Sequence, residues 1–310
     1  MENIKKETIG LDYWYQWQVP VCALIIVIPL IIAIRLIRKG NGLPLISSDL
    51  WIPSWRNLNP VFLLLFRASA LISMSFTLYL TYLRLGRVFV FYFYTQWTFT
   101  LVTIYFALVT VISARGCFVY SKTSVPEIED GEEISSRGKR RSIMKMKADF
   151  LEQFTQAIYQ ICGGASMLTD IVFWGLLVPF MLDEKFKLTM LISAMHSMNV
   201  VLLIIDSALN RQPFTWFGLN YFIVLSVTYV IFQWVLHACG FTWWPYPFLE
   251  LATPWAPLWY LALALVHLPC YGIYILLNKA MVTIFSKMFP KAYVRSLDNV
   301  GAQFSEKKQT

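Results

Sequence analysis

Seven long apolar runs in the sequence constrain its fold more than any other feature. They lie at about 19–37, 61–83, 88–112, 154–180, 188–209, 219–241 and 255–278. Each is close to the roughly 20 apolar residues that a helix needs to cross the hydrocarbon core of a bilayer. Hydrophobic residues make up 57% of the chain, which excludes an ordinary water-soluble domain. The sequence therefore predicts an all-α fold, a multi-pass transmembrane helical bundle of about seven spans.

Lysine and arginine are distributed unevenly between the loops that join these runs. Seven crossings place alternate loops on opposite sides, and 19 of the 26 basic residues then fall on the side of the carboxyl end, against 6 on the other. Arg67 is the one that lies inside a span. Because cytoplasmic loops are enriched in Lys and Arg, we expect an outward or lumenal amino end and a cytosolic carboxyl end. The net charge of +8 favours anionic lipid headgroups as partners over nucleic acid.

The transmembrane bundle is expected at 19–280, and it includes a cytosolic loop at 113–150. An outward segment at 1–18 precedes the bundle, and a cytosolic tail at 281–310 follows it. The loop changes from acidic to basic along its length, which is typical of a solvated segment. The tail carries Lys307 and Lys308 at the third and fourth positions from its end. This spacing matches the dilysine signal that retrieves membrane proteins to the endoplasmic reticulum. An integral protein of that membrane or of the plasma membrane is expected.

Polar side chains inside the spans are the first candidates for a functional site, because the bilayer penalises them. Counting about 1.5 Å per residue from the outward span ends, Thr95, His196 and Asp170 lie roughly 12 to 15 Å deep. A hydroxyl, an imidazole and a carboxylate are thus expected in one plane of the outer half. Asn199 follows His196 by about one turn, so its amide is expected on nearly the same helix face.

Arg67 and Asp206 are a second pair of candidates. Asp206 lies roughly 15 Å along the helix from His196 and cannot orient that imidazole. It is nearer the cytosolic end, as is Arg67 on the second span, so the two are expected to pair in a structural role. His267 lies beside Pro269, where freed backbone groups give a histidine a structural role. The sequence has no metal-ligand spacing such as C-x-x-C, and we expect no metal or other cofactor.

Three motifs from the fourth run onward resemble one family of membrane proteins. They read F-W-G at 173–175, A-M-H-S-M-N-V-V-L-L-I-I-D at 194–206 and W-V-L-H-A-C-G-F-T-W-W-P-Y-P-F-L-E at 234–250. This pattern resembles the androgen-induced protein family, which includes the androgen-dependent TFPI-regulating protein. The related rolling-stone-like proteins and uncharacterised plant transmembrane proteins are similar too. The resemblance covers roughly 60–280, and Asp206 departs from it, because the family usually has glutamate there.

The resemblance implies an intramembrane threonine hydrolase. Characterised members of the androgen-induced type hydrolyse fatty-acid esters of hydroxy fatty acids with a threonine and a histidine. The histidine carries over to His196, whose flanks match. The threonine carries over to Thr95 in an aromatic-x-threonine pattern, and Thr98 and Thr100 are near enough to be alternatives.

The implied chemistry is nucleophilic acyl transfer. His196 would take the Thr95 proton as the hydroxyl attacks an ester carbonyl and would return it to the leaving alcohol. Two supporting roles follow from depth and helix face alone. Asp170 is expected to orient His196, and Asn199 is expected to donate a hydrogen bond to the oxyanion.

Other function classes stay open. The rolling-stone branch implies a non-catalytic role in membrane organisation or fusion, with His196 kept for packing. A seven-helix receptor is less favoured, because Ser113-Ala114-Arg115 stands where Asp-Arg-Tyr would follow the third span. A transporter is also less favoured, because the intramembrane polar groups are few and show no repeat. Membrane lipids are the expected partners, with a lipid ester as the substrate if the chain is an enzyme.

Overall fold

The computed structural model describes residues 11–40, 44–84, 86–124, 146–181 and 189–294. Within these ranges the chain is helical and has no strand. Seven helices are long and apolar enough to cross a membrane: Gln18–Lys39, Pro60–Arg84, Tyr94–Lys122, Phe150–Pro179, Met190–Leu209, Trp216–Ala238 and Ala256–Met288. The predicted all-α bundle of seven spans is confirmed, and the chain is a multi-pass helical membrane protein.

Short helical segments connect or flank the spans. The α-helices Leu11–Trp14 and Ser48–Trp51 and the 3-10 turns Arg87–Tyr92 and Pro247–Leu249 are of this kind. A further 3-10 turn, Trp216–Gly218, begins the sixth span. Lys307 and Lys308 lie outside the described residues, as does most of the loop predicted at 113–150.

Loops that were expected on one side of the membrane contact each other. At the predicted cytosolic end, the Ser54 hydroxyl donates to the Asn210 carbonyl, and the Ser47 N–H donates to the Met146 carbonyl at 3.0 Å. At the predicted outward end, the Tyr13 hydroxyl donates to Glu250 at 2.6 Å. These contacts agree with alternate loops sharing a side, whereas the choice of the cytosolic side stays a prediction.

The fourth span lies at the centre of the bundle and packs against the third, sixth and seventh spans. It begins with a capping box, in which Asp149 accepts from the Glu152 N–H at 2.8 Å and Glu152 accepts from the Asp149 N–H at 2.9 Å. A Cβ added at Gly163 or Gly164 would lie 2.6 Å from the ring of Phe214 or Tyr271. These glycines therefore allow the close helix approach that packing in a membrane requires.

The third span begins later than predicted. Gly86 and Arg87 have positive φ of 87° and 58°, and the chain then forms the 3-10 turn before the helix starts at Tyr94. The aromatic rings of this turn explain the delay, since Tyr92 stacks on Trp243 with centroids 5.5 Å apart. Thr95 consequently lies in the first turn of its helix, so the depth counted from residue 88 does not apply to it.

The fifth span is broken in its first third instead of continuous. Met190–Met195 and Met198–Leu209 are separate helices, and His196 is the C-cap of the first with φ −97° and ψ 14°. The His196 carbonyl accepts a hydrogen bond from Trp174 Nε1 at 2.9 Å. Trp174 belongs to a π-helical segment, Phe173–Met181, which ends the fourth span. Because of the break, Asn199 does not share a continuous helix face with His196.

Candidate intramembrane site

Thr95 and His196 line one cavity of about 100 Å³. Its walls come from the third to seventh spans and from the segment that joins the last two of them. The lining residues are Tyr94, Thr95, Leu168, Thr169, Val172, Leu177, His196, Ser226, Tyr229, Val230, Tyr246, Phe248, Leu249, Leu263 and His267. The bundle therefore brings to one cavity a hydroxyl and an imidazole that are distant in the sequence.

Thr95 is buried and faces Tyr246, a residue of the segment between the sixth and seventh spans. Burial raises the pKa of Tyr246, and hydrogen bonding by the Thr95 side chain and by the backbone near Tyr94 and Thr95 offsets part of that shift. The phenol is thus protonated at neutral pH. A neutral phenol beside the Thr95 hydroxyl is a hydrogen-bond donor for charge that develops there.

His196 is held by packing and by its backbone. Its ring lies on the ring of Phe173, with centroids 3.5 Å and planes 1° apart. Its N–H donates to the Ile192 carbonyl at 3.2 Å, and Trp174 binds its carbonyl. The Nδ1 atom is buried and has no hydrogen-bond partner in the described part of the chain.

Asp170, expected to orient His196, and Asn199, expected to donate to the oxyanion, are not among the lining residues of the cavity. Asp170 is near the hydroxyl of Thr169, at 3.4 Å, and the described residues contain no hydrogen bond between Asp170 and His196. Asn199 donates to the Met195 carbonyl at 3.0 Å, so its amide N–H bridges the break between the two helices of the fifth span.

Of the three candidate threonines, Thr95 is the one that lines the cavity with His196. Thr98 is buried and its hydroxyl has no partner among the described residues. Thr100 instead lines an apolar groove of about 740 Å³ between the third and sixth spans. The geometry therefore favours Thr95 over its two alternatives.

Arg67 and Asp206 form the pair that was predicted. Arg67 Nε donates to Asp206 Oδ1 at 2.8 Å, and both side chains are fully buried. Arg67 Nη1 also donates to the Leu50 carbonyl at 2.5 Å and to the Ser113 hydroxyl at 2.7 Å. Tyr105 donates to Asp206 Oδ2 at 2.6 Å. The pair joins the second, third and fifth spans and lies outside the cavity, in keeping with a structural role.

The sequence analysis gives no site role to several polar residues of the cavity, among them Ser226, Tyr246 and His267. His267 was assigned a structural role because it lies next to a proline, and its ring nitrogen Nδ1 does contact the Leu263 carbonyl at 2.6 Å. Its Nε2, however, is buried without a partner in the described structure. Tyr246 lies between spans, so a search confined to intramembrane residues passes over it, although it belongs to the third motif.

Comparison with known proteins gives no match: no family model, no curated protein and no solved structure corresponds to this chain. The resemblance carried by the motifs at 173–175, 194–206 and 234–250 therefore stays a prediction. The function of the cavity has to be judged from its own geometry and chemistry.

Proposed function

We propose that this membrane protein hydrolyses lipid esters in the cavity lined by Thr95 and His196. One observation carries the proposal: a buried hydroxyl from the third span and a buried imidazole from the fifth line the same cavity. A threonine hydroxyl is a weak nucleophile unless a base accepts its proton. The cavity supplies both groups, and His196 has a nitrogen free for that task.

The proposed reaction is a two-step acyl transfer. His196 takes the proton of Thr95 Oγ1 as that oxygen attacks the ester carbonyl carbon, and the phenol of Tyr246 donates to the oxyanion. The ester C–O bond then breaks, and the proton passes to the leaving alcohol. Water attacks the acyl-threonine with the same proton transfers, which releases a carboxylic acid and restores the threonine hydroxyl.

The substrate class follows from the walls of the cavity. Seven of the fifteen lining residues have hydrocarbon side chains and three more are tyrosines, so a substrate with acyl chains that partition into the bilayer fits better than a water-soluble ester. By the resemblance, fatty-acid esters of hydroxy fatty acids are the first substrates to screen. Membrane lipids are the proposed partners throughout.

Labelling with a fluorophosphonate tests the proposal on the purified full chain in lipid or mild detergent. We expect wild type to be labelled and Thr95→Ala and His196→Ala to lose labelling. Thr98→Ala is the matched control, because Thr98 is also buried on the third span but does not line the cavity. Labelling that persists in well-folded Thr95→Ala would place the nucleophile elsewhere.

A non-catalytic role in membrane organisation is the second candidate function. It is favoured by the surroundings of His196, whose ring is stacked on Phe173 and whose Nδ1 has no acidic partner among the described residues. A histidine kept for packing has the same features. Well-folded wild type that resists the fluorophosphonate and hydrolyses no lipid ester would support this role, and capture of membrane partners would follow.

Orientation and location are part of the proposal. We propose an outward or lumenal amino end and a cytosolic carboxyl end, because 19 of 26 basic residues lie on the latter side. Protease protection of an epitope tag at the carboxyl end in sealed microsomes tests the orientation, and a protected tag contradicts it. Replacing Lys307 and Lys308 by serine tests retention in the endoplasmic reticulum, since loss of the signal should move the protein to the plasma membrane.

A further inference from the structure

The cavity leaves two buried nitrogen atoms without hydrogen-bond partners among the described residues. They are Nδ1 of His196 and Nε2 of His267. The other polar groups are engaged: the Ser226 hydroxyl pairs with the Tyr94 hydroxyl at 2.9 Å, and the Tyr229 hydroxyl donates to the backbone at 2.8 Å. Buried polar atoms are nearly always paired, so an unpaired one in a residue that lines a cavity calls for a partner from outside the described chain.

The hydrogen bond of His267 to its own helix fixes which nitrogen carries the proton. Nδ1 lies 2.6 Å from the Leu263 carbonyl oxygen. A carbonyl oxygen has no hydrogen to give, so Nδ1 is the donor and holds the proton of the neutral imidazole. Nε2 then has a lone pair and acts only as an acceptor. A group that pairs with it must bring a hydrogen of its own.

The surroundings of His267 indicate the rest of the ligand. The ring packs against Phe222 with centroids 4.7 Å apart. His267 also lines an adjoining cavity of about 100 Å³ between the first, sixth and seventh spans, and Ser226, Leu249 and Leu263 line both cavities. The walls of the adjoining cavity are mainly apolar. A ligand that enters both cavities needs an apolar chain together with one hydrogen-bond donor.

We propose that His267 Nε2 binds the O–H group of a single-chain lipid, with the alkyl chain in the adjoining cavity. A hydroxyl and an undissociated carboxyl share this chemistry, because each presents an O–H donor to the lone pair. The inference rests on the proposed function in that it names a ligand class for the same cavity. It makes His267 a binding residue, in addition to the structural contact with Leu263.

Competition between matched ligands tests the proposal without any hydrolysis. A photo-crosslinkable decanol is bound to the purified full chain in nanodiscs and is displaced by decan-1-ol, 1-methoxydecane or decanoic acid. We expect decan-1-ol to compete roughly three- to tenfold better than its methyl ether, because the ether lacks the donor of one hydrogen bond. Decanoic acid that competes only at low pH would identify the undissociated carboxyl as a second source of the O–H group.

His267→Phe keeps an aromatic ring and removes the acceptor, so the preference for the alcohol over the ether should disappear. His237→Phe is the matched control, because His237 stacks on Trp244 and does not line the cavity, and it should keep the preference. An equal preference in His267→Phe, or none in wild type, would overturn the proposal. If His267→Phe does not fold, His267→Gln replaces it in the test. The glutamine retains a hydrogen-bond acceptor, so this variant should keep part of the preference for the alcohol over the ether. Complete loss of that preference would count against the proposal.

The two proposals fail in different ways. None of these ligands is an ester. If fluorophosphonate failed to label wild type, the hydrolase proposal would fail, but a preference for the alcohol that depends on His267 would still support the binding proposal. Conversely, labelling that depends on Thr95 and His196 would stand even if His267 showed no selectivity for an O–H group.

Discussion

The imidazole of His196 lies parallel to the ring of Phe173, with ring centroids 3.5 Å apart and planes 1° apart. The next residue of the same motif, Trp174, donates its indole N–H to the His196 carbonyl at 2.9 Å. Two consecutive residues of one π-helical turn thus hold both the ring and the backbone of the histidine at the break in the fifth span. Such π-helical segments are frequent at functional sites. The motifs at 173–175 and 194–206 form one structural unit.

Replacing Phe173 by leucine removes the stacked ring while keeping an apolar side chain. We expect a loss of about 1–2 kcal/mol in stability, from the lost ring contact and a small cavity. If His196 is a catalytic base, fluorophosphonate labelling should also fall. Thermal unfolding in detergent measures the first effect. Phe154→Leu on the same span is the control, because Phe154 is 49% exposed; a similar loss there would mean that the stack is not special.

Replacing one member of the Arg67–Asp206 pair should lower the stability of the protein more than replacing both. Asp206 accepts from Arg67, Tyr105 and Asn210, so either Arg67→Met or Asp206→Leu leaves an uncompensated buried charge. We expect each single change to cost about 3–5 kcal/mol and the double change to recover much of that loss. A double-mutant cycle on thermal stability measures the coupling. Additive losses would show that the two side chains act independently.

Two glycines of the fourth span should differ in how replacement by alanine affects the stability of the protein. A Cβ at Gly164 would lie 2.6 Å from Tyr271 and 2.8 Å from Phe222, whereas a Cβ at Gly175 meets nothing within 4 Å. Overpacking of this kind typically costs about 1–3 kcal/mol, so Gly164→Ala should lower the melting temperature and Gly175→Ala should not. Size-exclusion profiles after heating compare the two. Equal tolerance at both sites would contradict the close packing between the fourth span and the sixth and seventh.

Alkaline pH should loosen the contact between Tyr13 and Glu250. Burial, followed by the hydrogen bond to Glu250 and the charge of that residue, raises the pKa of the Tyr13 hydroxyl. A raised pKa means that the folded state holds the proton more tightly than the unfolded state does. The stabilisation is therefore fully present below about pH 10, the ordinary tyrosine value, and is lost as the pH rises above it.

Melting temperatures of wild type and Tyr13→Phe across this range isolate the contribution of Tyr13. Wild type should lose more stability than the variant above about pH 10, and the two should run parallel below it. Tyr15→Phe is the matched control, since Tyr15 is 80% exposed and should follow wild type. Parallel curves for Tyr13→Phe at every pH would rule out a role for this hydroxyl.

The seven spans and the Arg67–Asp206 pair can be predicted from the sequence alone. A membrane requires long apolar helices that satisfy their own backbone hydrogen bonds, so apolar length alone locates them. A buried charge in such a helix requires a partner, and few residues at the same depth can serve. Thr95 and His196 were likewise expected in one layer, although the helix that carries Thr95 begins at Tyr94 and not at 88.

The arrangement of the cavity depends on contacts between residues that are distant in the sequence. The break at His196 depends on Trp174 of a neighbouring span, and the start of the third span depends on rings that stack on Trp243. Such contacts between distant residues leave no periodic signal in the sequence. A count along an ideal helix therefore puts Asn199 and His196 on one helix face, whereas the helix is interrupted between them. Tyr246 and His267 reach the cavity for the same reason: side chains meet there because of how separate segments pack, and spacing along the chain does not encode that packing.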